Sequence, residues 1–409
     1  MIKRILPSVL ICSSMILGIS GTNASAVPDA ANGAPVPGPN NIILVEPVQY
    51  PDDFEYDPDA KVFRISADDL IRLYSFFDGR THNFYDVLTD NEKIAYDMIK
   101  AALNDDLAVE IIEMDGVTDI NAALRAYCAF VADSPEYFWL TGLGYGFSYG
   151  DDGNITKITI VLKCCAGQSF DKIEDNYKKF TDKVDEIVKE AGKYTNDYDK
   201  MKYFAGYIAD NMTYDHDAAA YGHVNDAEYE NRWNAYGALI SGSGVCEAYA
   251  EAFKVLCDSA GIPCISVYSS DHEWNAVKLG SSWYYVDVTW IDTEDPSTYR
   301  FDEWFAVGTV SAKANDNPQR SHTPQGKIIL SAIDSDFTYP DISSTDYEPG
   351  VIIGDLNGDG IINNKDLVLL RYYYYSAPLP SELRTAADID ENGVFDEEDI
   401  TALRKWLVS

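Results

Sequence analysis

Cys246 sits where a loop turns into a helix. It follows the glycine-rich stretch "SGSGV" and opens "CEAYAEAFKVLCDS", a run with helical spacing. A thiol in the first turn of a helix meets the positive end of the helix dipole, which favours the nucleophilic thiolate. Free cysteine is also among the residues most often buried, so position alone does not make a nucleophile. Cys257 and Cys264 fit that apolar role.

A nucleophilic thiol needs a base. "HEWNAVKL" (272–279) and "SWYYVDVTW" (282–290) flank the tight turn Gly280-Ser281 and read as a hairpin. A two-residue turn pairs Leu279 with Ser282 and sets position 272 opposite 289. Asp287 is then the diagonal neighbour of His272, roughly 7–8 Å away before the side chains reach toward each other. A carboxylate between Val286 and Val288 in an aromatic strand is costly unless partnered. Asp287 would fix the tautomer of His272, and His272 would take the proton of Cys246. The other histidines, His82, His216, His223 and His322, lie in polar, loop-like stretches and fit less well. The backbone N–H of Cys246 is a natural oxyanion donor. Asn234 and Tyr236 are candidates for a second one. Trp274, Trp283 and Trp290 read as core rather than as cleft wall.

The elements around these residues follow from pattern. Residues 51–194 form a mixed α/β segment, with a lid or substrate-positioning role as the first reading. Within it, "LTDNEKIAYDMIKAAL" opens with a capping box, Thr89 and Glu92. "DINAALRAYCAFVADSPEYFWL" is a second helix stopped near Pro135, and "NITKITIVLKC" alternates as a strand. A long helical stretch covers 168–213, broken near "GKYTND". Residues 333–353 are polar, proline-containing and unpatterned, and read as a linker.

The ends and the composition bound the rest. Lys3 and Arg4 precede a short apolar run, and Ala24-Ser25-Ala26 offers a cleavage site, so residues 1–26 read as a secretory signal peptide. Residues 27–50 read as a disordered lead-in. Loss of Cys12 with the signal would leave six of the seven cysteines, too sparse for a disulfide scaffold. With 31 basic against 67 acidic residues, the formal charge of −36 argues against nucleic acid and anionic membranes as partners.

Residues 354–409 contain an internal repeat, "DLNGDGIINNKDLVLLRYYY" and "DIDENGVFDEEDITALRKWL". In one copy Asp355, Asn357, Asp359, Asn363 and Asp366 occupy positions 1, 3, 5, 9 and 12 of a loop, with the carbonyl of Ile361 at position 7. In the other these are Asp388, Asp390, Asn392, Asp396 and Asp399, with the carbonyl of Val394. A hard cation wants six to eight oxygens, and this spacing wraps them round one point. Position 12 is Asp rather than Glu, and no full helix precedes either loop. The duplicated loop-helix unit therefore resembles a type I dockerin. The resemblance implies two calcium ions and docking onto a cohesin module of a cellulosome-type scaffold that degrades plant polysaccharide. The cohesin-facing positions would be Asn364, Lys365, Arg371 and Tyr372 in one copy, and Glu397, Glu398, Arg404 and Lys405 in the other.

"AYGALISGSGVCEAYAEAFKVLCDSAGIPC", "HEWNAVKL" and "WYYVDVTW" together resemble the transglutaminase-like core of bacterial secreted proteins. That resemblance makes Cys246, His272 and Asp287 the catalytic triad of a core that spans 195–332. It implies an α+β, papain-like fold: a helix bearing the cysteine packed on an antiparallel sheet bearing His and Asp, with a small α-helical dockerin appended. Ala248 departs from the glycine many relatives carry and would narrow the cleft. The expected function is a secreted, cellulosome-attached cysteine peptidase or acyl transferase on protein amide bonds, with no cofactor for catalysis. A cross-linking transglutaminase and a non-catalytic accessory module are the alternatives.

Overall fold

A computed structural model of the chain describes residues 48–50, 57–66, 83–221, 227–269, 272–316, 322–324, 338–347, 349–350, 352–358, 361–380, 383–390 and 392–407. The expected signal peptide, and the lead-in up to residue 47, lie outside these residues. Among the described residues, no helix is long and apolar enough to cross a membrane.

The N-terminal segment is built on a five-stranded mixed sheet. Its strands are β1 (Val48–Gln49), β2 (Val62–Ser66), β3 (Ile111–Asp115), β4 (Leu140–Tyr149) and β5 (Ile155–Cys164), in the order β1-β4-β5-β3-β2. Helices α1 (Asp90–Asp105) and α2 (Ile120–Asp133) belong to the same unit. The capping box is formed: Glu92 N–H donates to Thr89 Oγ1 at 3.4 Å, and Thr89 N–H donates to Glu92 Oε2 at 2.7 Å. α2 stops two residues short of Pro135, whose ring disfavours a helical residue before it.

The long helical stretch resolves into α3 (Ile173–Ala191) and α4 (Asp197–Asn211), the second restarted by Asn196, whose side chain accepts from Asp199 N–H at 2.9 Å. Next, β6 (Thr213–Tyr214) pairs in parallel with β7 (Ser243–Gly244), directly ahead of α5 (Cys246–Ser259). A four-stranded, wholly antiparallel sheet follows: β8 (Cys264–Tyr268), β9 (Glu273–Leu279), β10 (Ser282–Val286) and β11 (Phe305–Val307), in the order β11-β10-β9-β8. α5 packs on β8 and β9. This is the α+β arrangement of cysteine helix on antiparallel sheet.

The hairpin register matches expectation, with Leu279 opposite Ser282 and the ladder running to Asn275 opposite Val286. The expected strand over 282–290 is cut short, however. The chain leaves the sheet after Val286 and turns into the short helix α6 (Val288–Ile291), with Asp287 as its N-cap.

The described residues of 51–194 do not form a separate lid over the unit that carries Cys246, His272 and Asp287. One apolar core runs through both: Phe138 meets Tyr236 at 4.8 Å between ring centroids, and Phe84 meets Tyr268 at 6.2 Å. Part of the expected linker is also docked. Ser343 N–H donates to the Trp283 carbonyl at 2.8 Å, Tyr347 N–H to that of Ala306 at 2.9 Å, and Tyr268 N–H to Tyr339 Oη at 3.2 Å. The aromatic and aliphatic anchors Tyr339, Ile342 and Tyr347 carry this segment onto the sheet edge.

The C-terminal repeat has a core of its own, Leu356, Leu370, Ala387, Ile400 and Leu403, between α7 (Asn364–Tyr375) and α8 (Glu397–Trp406).

Candidate active site

Two glycines shape the loop ahead of Cys246. Gly242 takes φ +70°, a left-handed conformation natural to glycine. Gly244 has no room for a side chain: a Cβ there would lie 2.6 Å from Ala248 Cβ and 2.8 Å from the Arg232 carbonyl. Val245 N–H also donates to that carbonyl, at 2.8 Å, so the loop is pinned rather than free. Ala248 is fully buried against Gly244 and packs under the loop instead of narrowing a cleft.

Cys246 is completely buried, and the Glu273 backbone N–H donates to its thiol. The thiol is thereby held beside the His272–Glu273 peptide. Burial, followed by the charge of Glu247, pushes its pKa well up, and the Glu273 N–H only partly offsets this. The expected gain of thiolate at the helix start is outweighed, because desolvation penalises the charged form more than a partial dipole charge favours it.

His272 Nε2 lies 2.6 Å from Asp287 Oδ2, and Asp287 Oδ1 accepts from Trp290 N–H at 3.0 Å. Burial opposes ionisation of Asp287, but His272 and then His322 overcome it and hold the carboxyl below the usual carboxylate range. The carboxylate is thus an acceptor only, and the hydrogen on Nε2 belongs to His272. His272 Nδ1 has no hydrogen-bond partner, although it is buried. The ring stacks on Trp274 at 5.6 Å and meets Trp290 edge-on at 6.2 Å. Those two indoles are core, as expected, while Trp283 is partly buried at the sheet edge.

Two expectations change. The Asn234 amide donates to Cys165 Sγ at 3.3 Å and accepts from Gly237 N–H at 2.9 Å, while Tyr236 packs among Phe138 and Phe180. The Asn234 amide is thus committed to structure, and the Tyr236 ring belongs to the core. His322, set aside as a loop residue, is buried with Nε2 2.7 Å from Asp287 Oδ2. It lies in a polar stretch far along the chain from the triad, and no periodicity or motif there signals it.

The described cysteines, Cys128, Cys164, Cys165, Cys246, Cys257 and Cys264, are all free of disulfides. Cys257 and Cys264 are fully buried.

Residues 185–288 match the model of the transglutaminase-like superfamily, and residues 353–408 match that of the dockerin type I domain. Both modules suggested by the motifs are present. The chain is also similar to the mouse (Mus musculus) kyphoscoliosis peptidase, 33% identical over 81 residues, which cover 15% of this chain and only 12% of that protein. Among solved structures it is similar to a TGase at 18% identity (TM-score 0.25; 49% of this chain, 58% of that one). A candidate cysteine protease from Cytophaga hutchinsonii is similar at 17% identity (TM-score 0.22; 36% and 62%).

In the dockerin, each position-12 aspartate is buried and closes its own loop. Asp366 accepts from the N–H groups of Leu356, Asn357 and Asn363 at 3.0, 3.2 and 2.9 Å. Asp399 repeats this with Ile389, Asp390 and Asp396 at 2.7, 3.4 and 2.8 Å. Each also completes a capping box with the position-9 side chain, Asn363 or Asp396. In the second loop Asp388, Asp390 and Asp399 bring carboxylate oxygens within 4.8 Å of one another, and Asp388 Oδ1 is buried with no hydrogen-bond partner. Such crowding of negative oxygen suits a hard cation. Asp359 of the first loop lies outside the described residues. Asn364, Lys365, Arg371, Tyr372, Glu397, Glu398, Arg404 and Lys405 are all exposed.

Proposed function

We propose that the chain is an exported cysteine peptidase or acyl transferase that works on protein amide bonds and is carried to a cohesin by its dockerin. The observation that carries the chemistry is the state of His272: Nε2 is engaged by Asp287 at 2.6 Å, and Nδ1 is left without a partner. A ring held in that tautomer is a base aimed through Nδ1. His272 takes the proton of Cys246 as the sulfur attacks the carbonyl, and the N–H of Cys246 receives the developing oxyanion. The protonated ring then gives its proton to the leaving amine, and a thioester remains on Cys246. Water releases an acid in a peptidase; a lysine amine releases an isopeptide in a transglutaminase. Hydrolysis is the first reading.

Type I dockerins generally bind calcium. In this chain Asp355, Asn357, Asp359, Ile361, Asn363 and Asp366, and Asp388, Asp390, Asn392, Val394, Asp396 and Asp399, would hold two ions. Calcium would order the loops and would take no part in acyl transfer. The cohesin would meet the exposed positions named above, which puts the protein outside the cell in a polysaccharide-degrading assembly.

The burial of Cys246 favours a second reading, a non-catalytic accessory module with an inert thiol. A mass-resolved assay on a mixed protein substrate, with and without a primary amine, separates the readings. New termini lost in Cys246→Ala mean a peptidase, and amine-tagged glutamines a transglutaminase. Identical spectra for wild type and variant mean an accessory module.

A further inference from the structure

Among the described buried titratable groups that the triad does not use, His322 is the one bonded to a triad member. His322 stacks on Trp304 with ring centroids 4.1 Å apart and meets Trp274 and Trp290 edge-on at 4.9 and 5.5 Å. Nε2 lies 2.7 Å from Asp287 Oδ2, and Nδ1 lies 2.6 Å from Asp316 Oδ1. The His322 backbone N–H also donates to Asp316 Oδ2, at 3.0 Å. Ionised carboxylates only accept, so the ring is fully satisfied only when both nitrogens carry hydrogen. Burial opposes that charge, but Asp287 and Asp316 outweigh it and raise the pKa of His322.

The atoms of His272, Asp287 and His322 converge closely enough to suggest a metal centre instead. Ligands about 2.0–2.1 Å from a zinc ion stand about 3 Å or more from one another. The observed 2.6 and 2.7 Å are charge-assisted hydrogen bonds, so protons link these groups.

We propose that His322 is a positioning residue of the acyl-transfer site: as an imidazolium clamped between Asp287 and Asp316, it fixes the Asp287 carboxylate and keeps His272 a neutral base. This rests on the triad reading above. The two rings share one carboxylate oxygen with centroids 5.4 Å apart, and two positive rings so placed would repel. With His322 charged, His272 stays neutral and its Nδ1 lone pair is available for the thiol proton. The titratable groups facing His322 are Asp287, Asp316 and His272, with Tyr285 beyond Asp316.

The test is the pH dependence of iodoacetamide labelling at Cys246, read by peptide mass mapping on the full chain. Wild type is compared with His322→Gln, which keeps a donor but no charge, and Asp316→Asn, which lets the His322 ring become neutral in place. Both variants should move the acid-side midpoint upward by about one pH unit. Folded variants with the wild-type midpoint would remove this inference and leave the triad standing. A wild-type Cys246 inert at every pH would remove the triad reading and this inference together. Should both variants fail to fold, nitrogen-15 shifts of the wild-type histidines decide. They should show both His322 nitrogens protonated at about pH 7, and a neutral His322 would overturn the proposal.

Discussion

The Asn275 side-chain amide donates to the Ala250 carbonyl at 3.1 Å, fixing β9 against α5 one turn beyond Cys246. The same strand starts at Glu273, whose N–H reaches the Cys246 thiol, so this bond ties the strand that follows His272 to the helix that carries Cys246. Asn275 is wholly buried and cannot be replaced by water on the cheap. Asn275→Ala should lower the unfolding free energy by about 1–2 kcal/mol in urea titrations. The labelling rate of Cys246 should fall as well, because the strand bearing Glu273 loses its tie to the helix. An unchanged rate in the destabilised variant would mean the bond serves stability alone.

Asp287 accepts from His272, His322 and Trp290 with only two oxygens. An asparagine offers one oxygen and an NH2 group, so at least one of the three donors would face a donor. With the amide oxygen kept on Trp290 N–H, the acceptor for His272 Nε2–H is lost, and the ring turns its hydrogen toward the thiol. Asp287→Asn should reduce kcat/KM by about a hundredfold or more while the far-UV circular dichroism stays close to wild type. Rates within a factor of about two of wild type would argue that His272 needs no carboxylate.

The relation between His272 and Asp287 was legible because a two-residue turn fixes hairpin register, and register fixes which residues face each other. The dockerin loops are legible for a similar reason, since their oxygen-bearing side chains follow one another within a dozen residues. What the pattern misses is in part a local cap and in part contacts far along the chain. Asp287 looks like a strand residue until Trp290 N–H reaches back to it as a helix cap. His322 reaches Asp287 across a separation of 35 residues, through loops with no period. The docked Tyr339–Tyr347 segment reads as linker because its anchors are spaced to suit a sheet edge rather than a helix or strand of its own. The thiol at a helix start was visible, but the burial that outweighs the dipole is a property of packing.

Three glutamates, Glu247, Glu251 and Glu273, are buried together, and Glu247 and Glu273 face Cys246. Burial raises the pKa of each, and Glu251 reaches about 8 from an ordinary value of 4.5. A raised native pKa means that the folded protein holds protons the unfolded chain releases. Stability from Glu251 is therefore full below pH 4.5 and is lost as pH rises toward about 8. Thermal midpoints should fall steadily from pH 5 to about 8. Glu247→Gln, at a site whose carboxylate oxygens have no hydrogen-bond partner, should flatten that fall. A midpoint that rises over the same window would show that other groups govern the pH response.

Calcium should matter to the dockerin and not to acyl transfer. Asp388, Asp390 and Asp399 repel one another without a cation, and the buried Asp388 Oδ1 has no hydrogen to accept. Chelation with EGTA should loosen α8 and change the emission of the half-exposed Trp406 near its end. Labelling of Cys246 should stay as it was, since the two modules have separate apolar cores. Asp390→Ala is the sharper variant, because Asp390 is less buried than Asp399 and closes no capping box. It should weaken calcium binding by about tenfold or more, as for loss of one charged ligand, and leave the calcium-free fold unchanged. Isothermal titration of wild type and variant reads this directly. Equal affinities would take Asp390 out of the proposed ligand set, and a Cys246 labelling rate that follows calcium would tie the ion to the Cys246 module after all.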